Sequence, residues 1–194
     1  MALTLGQRIY YTHLMDPRVH LVVVTGPSGS GKTHLATKTG NHNILIKQYN
    51  RMVITRPAIS VDEEDHGFIP GTIDKKMKPW IKPMTDVMET TRNVEISPLA
   101  YMRGLTFNNS WIIADEMQNS TQSQMKMLLT RVGKNSKLVI TGDITQSDRN
   151  CDGLSDLVMR IKRGEIPDTI KLIQLSTDDV VRSELVKQIL KLYA

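Results

Sequence analysis

The feature that most limits what this chain can become is the run Gly26-Pro27-Ser28-Gly29-Ser30-Gly31-Lys32-Thr33, which follows an apolar stretch at residues 20–25 and opens a segment at 33–39. Its spacing satisfies the Walker A pattern, a phosphate-binding loop that works only with a strand before it and a helix after it. Each residue type has a task there. The glycines let backbone amides wrap phosphate oxygens, the helix N-terminus adds positive potential, Lys32 bridges outer phosphate oxygens, and Thr33 offers a hydroxyl to magnesium. The expected nucleotide-contacting set is therefore Gly26, Pro27, Ser28, Gly29, Ser30, Gly31, Lys32, Thr33 and His34. Gly40 suits the end of the helix that the loop opens.

Two acids complement that loop. Trp111-Ile112-Ile113-Ala114-Asp115-Glu116 is an apolar strand ending in adjacent carboxylates, the Walker B form, in which Asp115 holds the magnesium shell. Alone, the pair is equally well read as a strand end entering a polar turn; the loop upstream favours the catalytic reading. Glu116 is placed to orient and deprotonate a water beside the outermost phosphate, a water that a phosphotransferase would exclude. The run 137–146 then brings Gly142, Asp143 and Gln146 to the same sheet edge, where the Gln146 amide is able to bond both phosphate and water. The acids at 62–65 read instead as a solvated loop.

Apolar runs at 20–25, 52–55, 94–96, 111–114, 138–141 and 171–175 alternate with helical segments. Most are continuous, as strands buried on both faces are, and this order predicts an α/β fold with a mostly parallel sheet covered by helices on both faces, in one domain over 1–194. A helix is expected from Thr121, capped by Gln124, with Met125, Leu128, Leu129 and Val132 on one stripe and Gly133 ending it. Another is expected from Asp178-Asp179, with Val181, Leu185, Ile189 and Leu192 on one face. Residues 56–71 read as a long loop, and Met77, Trp80, Ile81, Met84 and Val87 recur at helical spacing broken by Pro79 and Pro83.

Composition narrows the setting. Twenty-five Lys and Arg against 20 Asp and Glu give a formal charge of +5, which favours polyanions without identifying one. The lone Cys151 excludes an intrachain disulfide, the N-terminus is too polar for a signal peptide, and no run approaches the roughly 20 apolar residues of a membrane span. A soluble, cytoplasmic protein is expected.

Taken together, Gly26–Thr33, Ile54-Thr-Arg-Pro57, Gly67-Phe-Ile-Pro-Gly71, Arg103-Gly-Leu-Thr-Phe107, Ala114-Asp-Glu-Met-Gln-Asn119, the block 124–131, Thr141-Gly-Asp143 with Gln146, and Asp179-Val-Val-Arg182 resemble PhoH-like proteins. The resemblance implies a RecA-like ATPase core akin to the first motor domain of superfamily 1 helicases, using ATP and Mg2+. It makes Gln7 an adenine-reading glutamine, although a lone surface Gln on an N-terminal helix is the commoner case. It makes Arg182 the group that stabilises charge on the transferred phosphoryl, and Arg56 and Arg103 nucleic-acid or inter-subunit contacts. Leu105 stands where the family usually has a second basic residue.

RNA or single-stranded DNA is the implied partner, and Lys75, Lys76, Lys78 and Lys82 around Trp80 suit such a strand, though Trp80 fits a packed stripe as well. With one Walker A and one Walker B the chain has one motor domain, where two-domain helicases take an arginine from a second; the last helix folding back could supply Arg182 in cis, and a head-to-tail homo-oligomeric ring, a hexamer, is the expected alternative. Two other classes compete. A small-molecule P-loop kinase is the first, with 56–71 as a lid; Glu116 and Gln146 speak against it. A GTP switch is the second, and no Asn-Lys-x-Asp guanine-reading motif is present.

Overall fold

In a computed structural model of the chain, which describes residues 2–57, 81–146 and 152–181, the apolar runs form six strands: β1 Leu21–Thr25, β2 Arg51–Thr55, β3 Val94–Ile96, β4 Ser110–Ala114, β5 Lys137–Gly142 and β6 Ile170–Gln174. Every bound falls within one residue of the expected run. They pair in parallel in the order β3-β2-β4-β5-β1-β6. The four central strands, β1, β2, β4 and β5, are buried on both faces, whereas the edge strands β3 and β6, interrupted by Glu95 and Lys171, are mostly half-buried. Val22, Val24, Met52, Ile54, Trp111, Ile113 and Val139 face one layer, with α1 (Leu5–Met15) and α2 (Lys32–Leu45). Val23, Val53, Ile112, Ala114, Leu138 and Ile140 face the other, with α3 (Gln122–Leu129) and α4 (Gly153–Arg163).

This layering decides where a ligand can bind. β1 feeds α2 on one face and β5 feeds α4 on the opposite face, so the connections leaving these neighbouring strands diverge. A crevice opens at their carboxyl ends, the topological switch point of an open α/β sheet.

α2 is a poor helix by propensity, with Gly40, Asn41 and Asn43 in its body. Packing holds it: Leu35, Ala36 and Ile44 join the core, and buried Asn41 donates to the Thr90 carbonyl at 2.7 Å and accepts from the Glu89 N–H at 3.0 Å. Gly40 is therefore not the helix end that its type suggests. The helix runs on to Leu45, and a Cβ at Gly40 would stand 2.4 Å from the Trp111 indole nitrogen. A close approach, not a turn, requires that glycine.

Two further boundaries differ from expectation. α3 has the expected Thr121–Gln124 capping box but ends at Leu129, because Val132 leaves the helix to pair with Phe107. Gly133 instead lets the Asn108 side chain and the Phe107 carbonyl approach within 2.2 Å and 2.7 Å of where a Cβ would be. Near the other end, Thr177–Asp179 is a short 3-10 turn whose Asp179 completes a capping box with Ser176. The expected helix beyond it, with Arg182, lies outside the described residues, as do residues 58–71 of the expected loop and Lys75, Lys76, Lys78 and Trp80. None of the described helices is long and apolar enough to cross a membrane.

Candidate active site

The crevice begins at the loop after β1. Gly26, Gly29 and Gly31 take φ values of 153°, 84° and 87°, the left-handed region that a Cβ resists. At Gly26 there is a steric reason too, since a Cβ would sit 2.6 Å from the Leu175 carbonyl oxygen. Lys32 folds back over the loop, its Nζ donating to the carbonyls of Gly26 at 2.7 Å and Pro27 at 2.9 Å. Burial pushes its ammonium below the usual lysine range, while the carboxylates of Asp143, Glu116 and Asp115 oppose that shift. From α1, the buried Tyr10 hydroxyl donates to the Lys32 carbonyl at 3.1 Å.

At the end of β4, one oxygen of Asp115 gathers two hydroxyls. Thr33 Oγ1 donates to Asp115 Oδ1 at 2.6 Å, and Thr141 Oγ1 of β5 donates to the same atom. Hydroxyl and carboxylate oxygens are the hard donors that Mg2+ takes, and one or two protein ligands suffice when phosphates and water complete the octahedron. Among the described residues no group of three or more His, Cys, Asp or Glu gathers to hold a metal by itself. The donor set fits Mg2+.

Glu116 follows with φ 54° and ψ 40°, left-handed backbone on a residue that has a Cβ. Such strain concentrates at functional positions. Its carboxylate has two neighbours: Gln118 Nε2 donates to Oε2, and the Arg56 guanidinium lies 3.8 Å from Oε1. β5, inserted between β1 and β4, carries Asp143 into the gap, where Asp143 accepts from Thr145 through Oδ1 and from Gln146 Nε2 through Oδ2 at 3.0 Å.

Lys32, Glu116, Asp143 and Gln146 line a cleft of about 610 Å³ together with Ser28, Gly29, Gly31, Thr33, His34, Lys38 and Val181. Gln7 lines it as well, and it is not a surface residue. It is 4% exposed, and its Nε2 donates to the carbonyls of Ser30 and Asp179, each at 3.0 Å. Asp179 in turn accepts from Thr4 Oγ1 and from the Ser176 N–H, and Val181 N–H donates to the Gly29 carbonyl at 3.2 Å. The stretch leading to Arg182 is thus tied to the phosphate loop. Arg103 is exposed, outside the cleft lining. Sequence reasoning missed Gln118, Thr141 and Lys38; for Lys38 the signal was its position one helical turn after His34.

The sequence model of a family described as PhoH-like protein matches residues 1–194. A PhoH-like protein of Mycobacterium tuberculosis is 39% identical over 98% of this chain and 57% of its own length. One from Bacillus subtilis is 38% identical over 98% of this chain and 62% of its own. The chain thus spans about three fifths of these relatives. Among solved structures, the large terminase of a thermophilic bacteriophage superposes with a TM-score of 0.58 at 11% identity, covering 98% of this chain and 50% of that one, a likeness of fold.

Proposed function

The chain belongs to the PhoH-like protein family, and on that footing we propose that it binds ATP with Mg2+ in the cleft and hydrolyses it, coupling the cycle to RNA or single-stranded DNA. One observation carries the reading: the ends of β1, β4 and β5 bring Lys32, Thr33, Glu116 and Gln146 to the lining of one switch-point crevice, with Asp115 hydrogen-bonded to Thr33 beside it. Loop amides and Lys32 hold the phosphates; Lys32 exchanges the Gly26 and Pro27 carbonyls for phosphate oxygens, which satisfy its charge better. Thr33 and Asp115 hold Mg2+, which when bound neutralises charge on the phosphate oxygens. Glu116 takes the proton of the attacking water, and Gln146 bonds that water or the outermost phosphate. Gln7 and His34 line the same cleft, and the nucleoside is assigned to them.

Phosphate release from ATP with no acceptor, measured alone, with RNA and with single-stranded DNA, tests this reading. Release without an acceptor and stimulation by a polymer that fades as salt rises are expected, because Arg56, Arg103 and the Lys75–Lys82 cluster displace counterions on binding phosphodiesters. Phosphate transfer only to an added small acceptor would overturn it in favour of a kinase.

The charge on the transferred phosphoryl needs a cation, and Arg182 is assigned to it. A ring supplies Arg182 from the neighbouring subunit through a head-to-tail interface. Arg182→Ala and Lys32→Ala proteins are each expected to be inactive, and equal mixing to restore activity, since about one interface in four then pairs an intact loop with an intact arginine. A monomer with full activity by light scattering refutes donation between subunits.

A further inference from the structure

The geometry points to Gln118 as the positioning residue that aims Glu116 and links it to the turn after β5; the inference rests on the ATP-hydrolysing reading above. Gln118 is 3% exposed and lies in the short turn Met117–Asn119 directly after Glu116. Its amide faces two ways. Nε2 donates to Glu116 Oε2, and Oε1 accepts the Asp143 N–H at 3.1 Å. The chemistry of both partners sets this orientation, since the carboxylate only accepts and the backbone N–H only donates. A flipped amide would meet like with like on both sides.

The fold makes room for this contact. β5 ends in Gly142, where a Cβ would stand 2.7 Å from Gln118 Oε1 and 3.2 Å from the Gln118 N–H nitrogen. A buried side chain and a glycine 24 positions later thus fit each other. Glu116 needs such support because its own backbone occupies the sparsely populated left-handed region. The amide is also the right kind of support. It orients the carboxylate without cancelling its charge, whereas Arg56 alone would offer a cation to the group meant to accept a proton.

The contacts form a line. Gln146 bonds Asp143 Oδ2, the Asp143 N–H bonds Gln118, and Gln118 bonds Glu116. A shift of the Asp143–Gln146 turn on meeting the outermost phosphate therefore reaches the general base through one amide, so hydrolysis depends on that turn as well as on Glu116.

The test compares Gln118→Glu and Gln118→Met with wild type. Gln118→Glu keeps the size and the acceptor for Asp143 but loses the donor and sets a second carboxylate against Glu116; Gln118→Met keeps only the stem. For both, kcat is expected to fall about 10²-fold, the usual scale for a misaimed catalytic group. Binding of a fluorescent ATP analogue is expected to stay within about twofold, as no phosphate contact is removed. In Gln118→Glu the acid limb of the kcat–pH profile moves to higher pH, because neighbouring carboxylates hold a proton more tightly than one does. Wild-type kcat and pH profile in both variants overturn the assignment, and so does a parallel loss of binding and kcat, the mark of a merely structural role. Wild type that releases no phosphate with or without polymer removes the ATPase reading and this inference with it, a result distinct from an active wild type matched by active variants.

Discussion

Glu116→Gln slows phosphate release by about 10²–10⁴-fold, the range for loss of a general base, while nucleotide binding survives. The substitution replaces one oxygen by an NH2 group, so the cleft keeps its shape and Lys32, Thr33 and Asp115 keep their places. What goes is the proton acceptor. Local geometry adds a second penalty. Gln118 Nε2 donates to Oε2, so the new amide must turn its carbonyl toward Gln118 and its NH2 toward the Arg56 guanidinium, 3.8 Å from the present Oε1. Donor then faces donor. Single-turnover rates with a parallel titration of nucleotide separate chemistry from binding. A variant rate within threefold of wild type removes Glu116 from the role of base.

Lys137→Ala destabilises the fold by about 2–5 kcal/mol, the range for truncating a long buried side chain to alanine, to which the lost hydrogen bonds contribute. The side chain is 1% exposed at the start of β5, and its Nζ donates to the carbonyls of His13 at 3.1 Å, Leu14 at 2.6 Å and Asp16 at 2.8 Å. These belong to the carbonyl end of α1, which has no intrahelical donors and bears partial negative charge. The Trp111 ring lies 5.6 Å from the same ammonium. Removing the side chain leaves a cavity and takes this donor from the His13 and Leu14 carbonyls, while the Asp16 carbonyl keeps the Val19 N–H at 3.1 Å, and it loosens the helix that brings Gln7 and Tyr10 to the Gly26–Thr33 loop. Urea unfolding of wild type, Lys137→Ala and Lys137→Met measures this, with Met costing less because it fills the volume.

The pH dependence of the same site has a definite sign. Burial pushes the Lys137 ammonium down to about 8, with Asp16 opposing. Between pH 8 and the usual lysine value near 10.4 the unfolded chain binds more protons than the folded one, so this group's contribution to stability rises with pH across that window. The stability gap between wild type and Lys137→Met is expected to widen there. A constant gap contradicts a depressed Lys137.

The phosphate loop, the acidic pair and all six strands were legible in the sequence because each is a local statement. Strands buried on both faces need unbroken apolar runs, left-handed turns need glycine at set positions, and Thr121 with Gln124 spells a cap within four residues. Other roles were invisible to any such window. Gln7 looks like a surface glutamine until Ser30, 23 residues away, and Asp179, 172 away, claim its amide. Lys137 looks like a polar strand start until the end of α1, 123 residues earlier, folds over it. Gln118 joins Glu116 to Asp143 only because β5 slots beside β4, and Gly40 is a glycine only because Trp111 lies against it. Sequence by itself determined the strands, the phosphate loop and the chemical groups available, since backbone sterics and periodic burial act within a few residues. Tertiary structure alone decided which buried amide, ammonium or glycine meets which partner, because a buried polar group or a missing Cβ takes its meaning from atoms that only sheet order brings near.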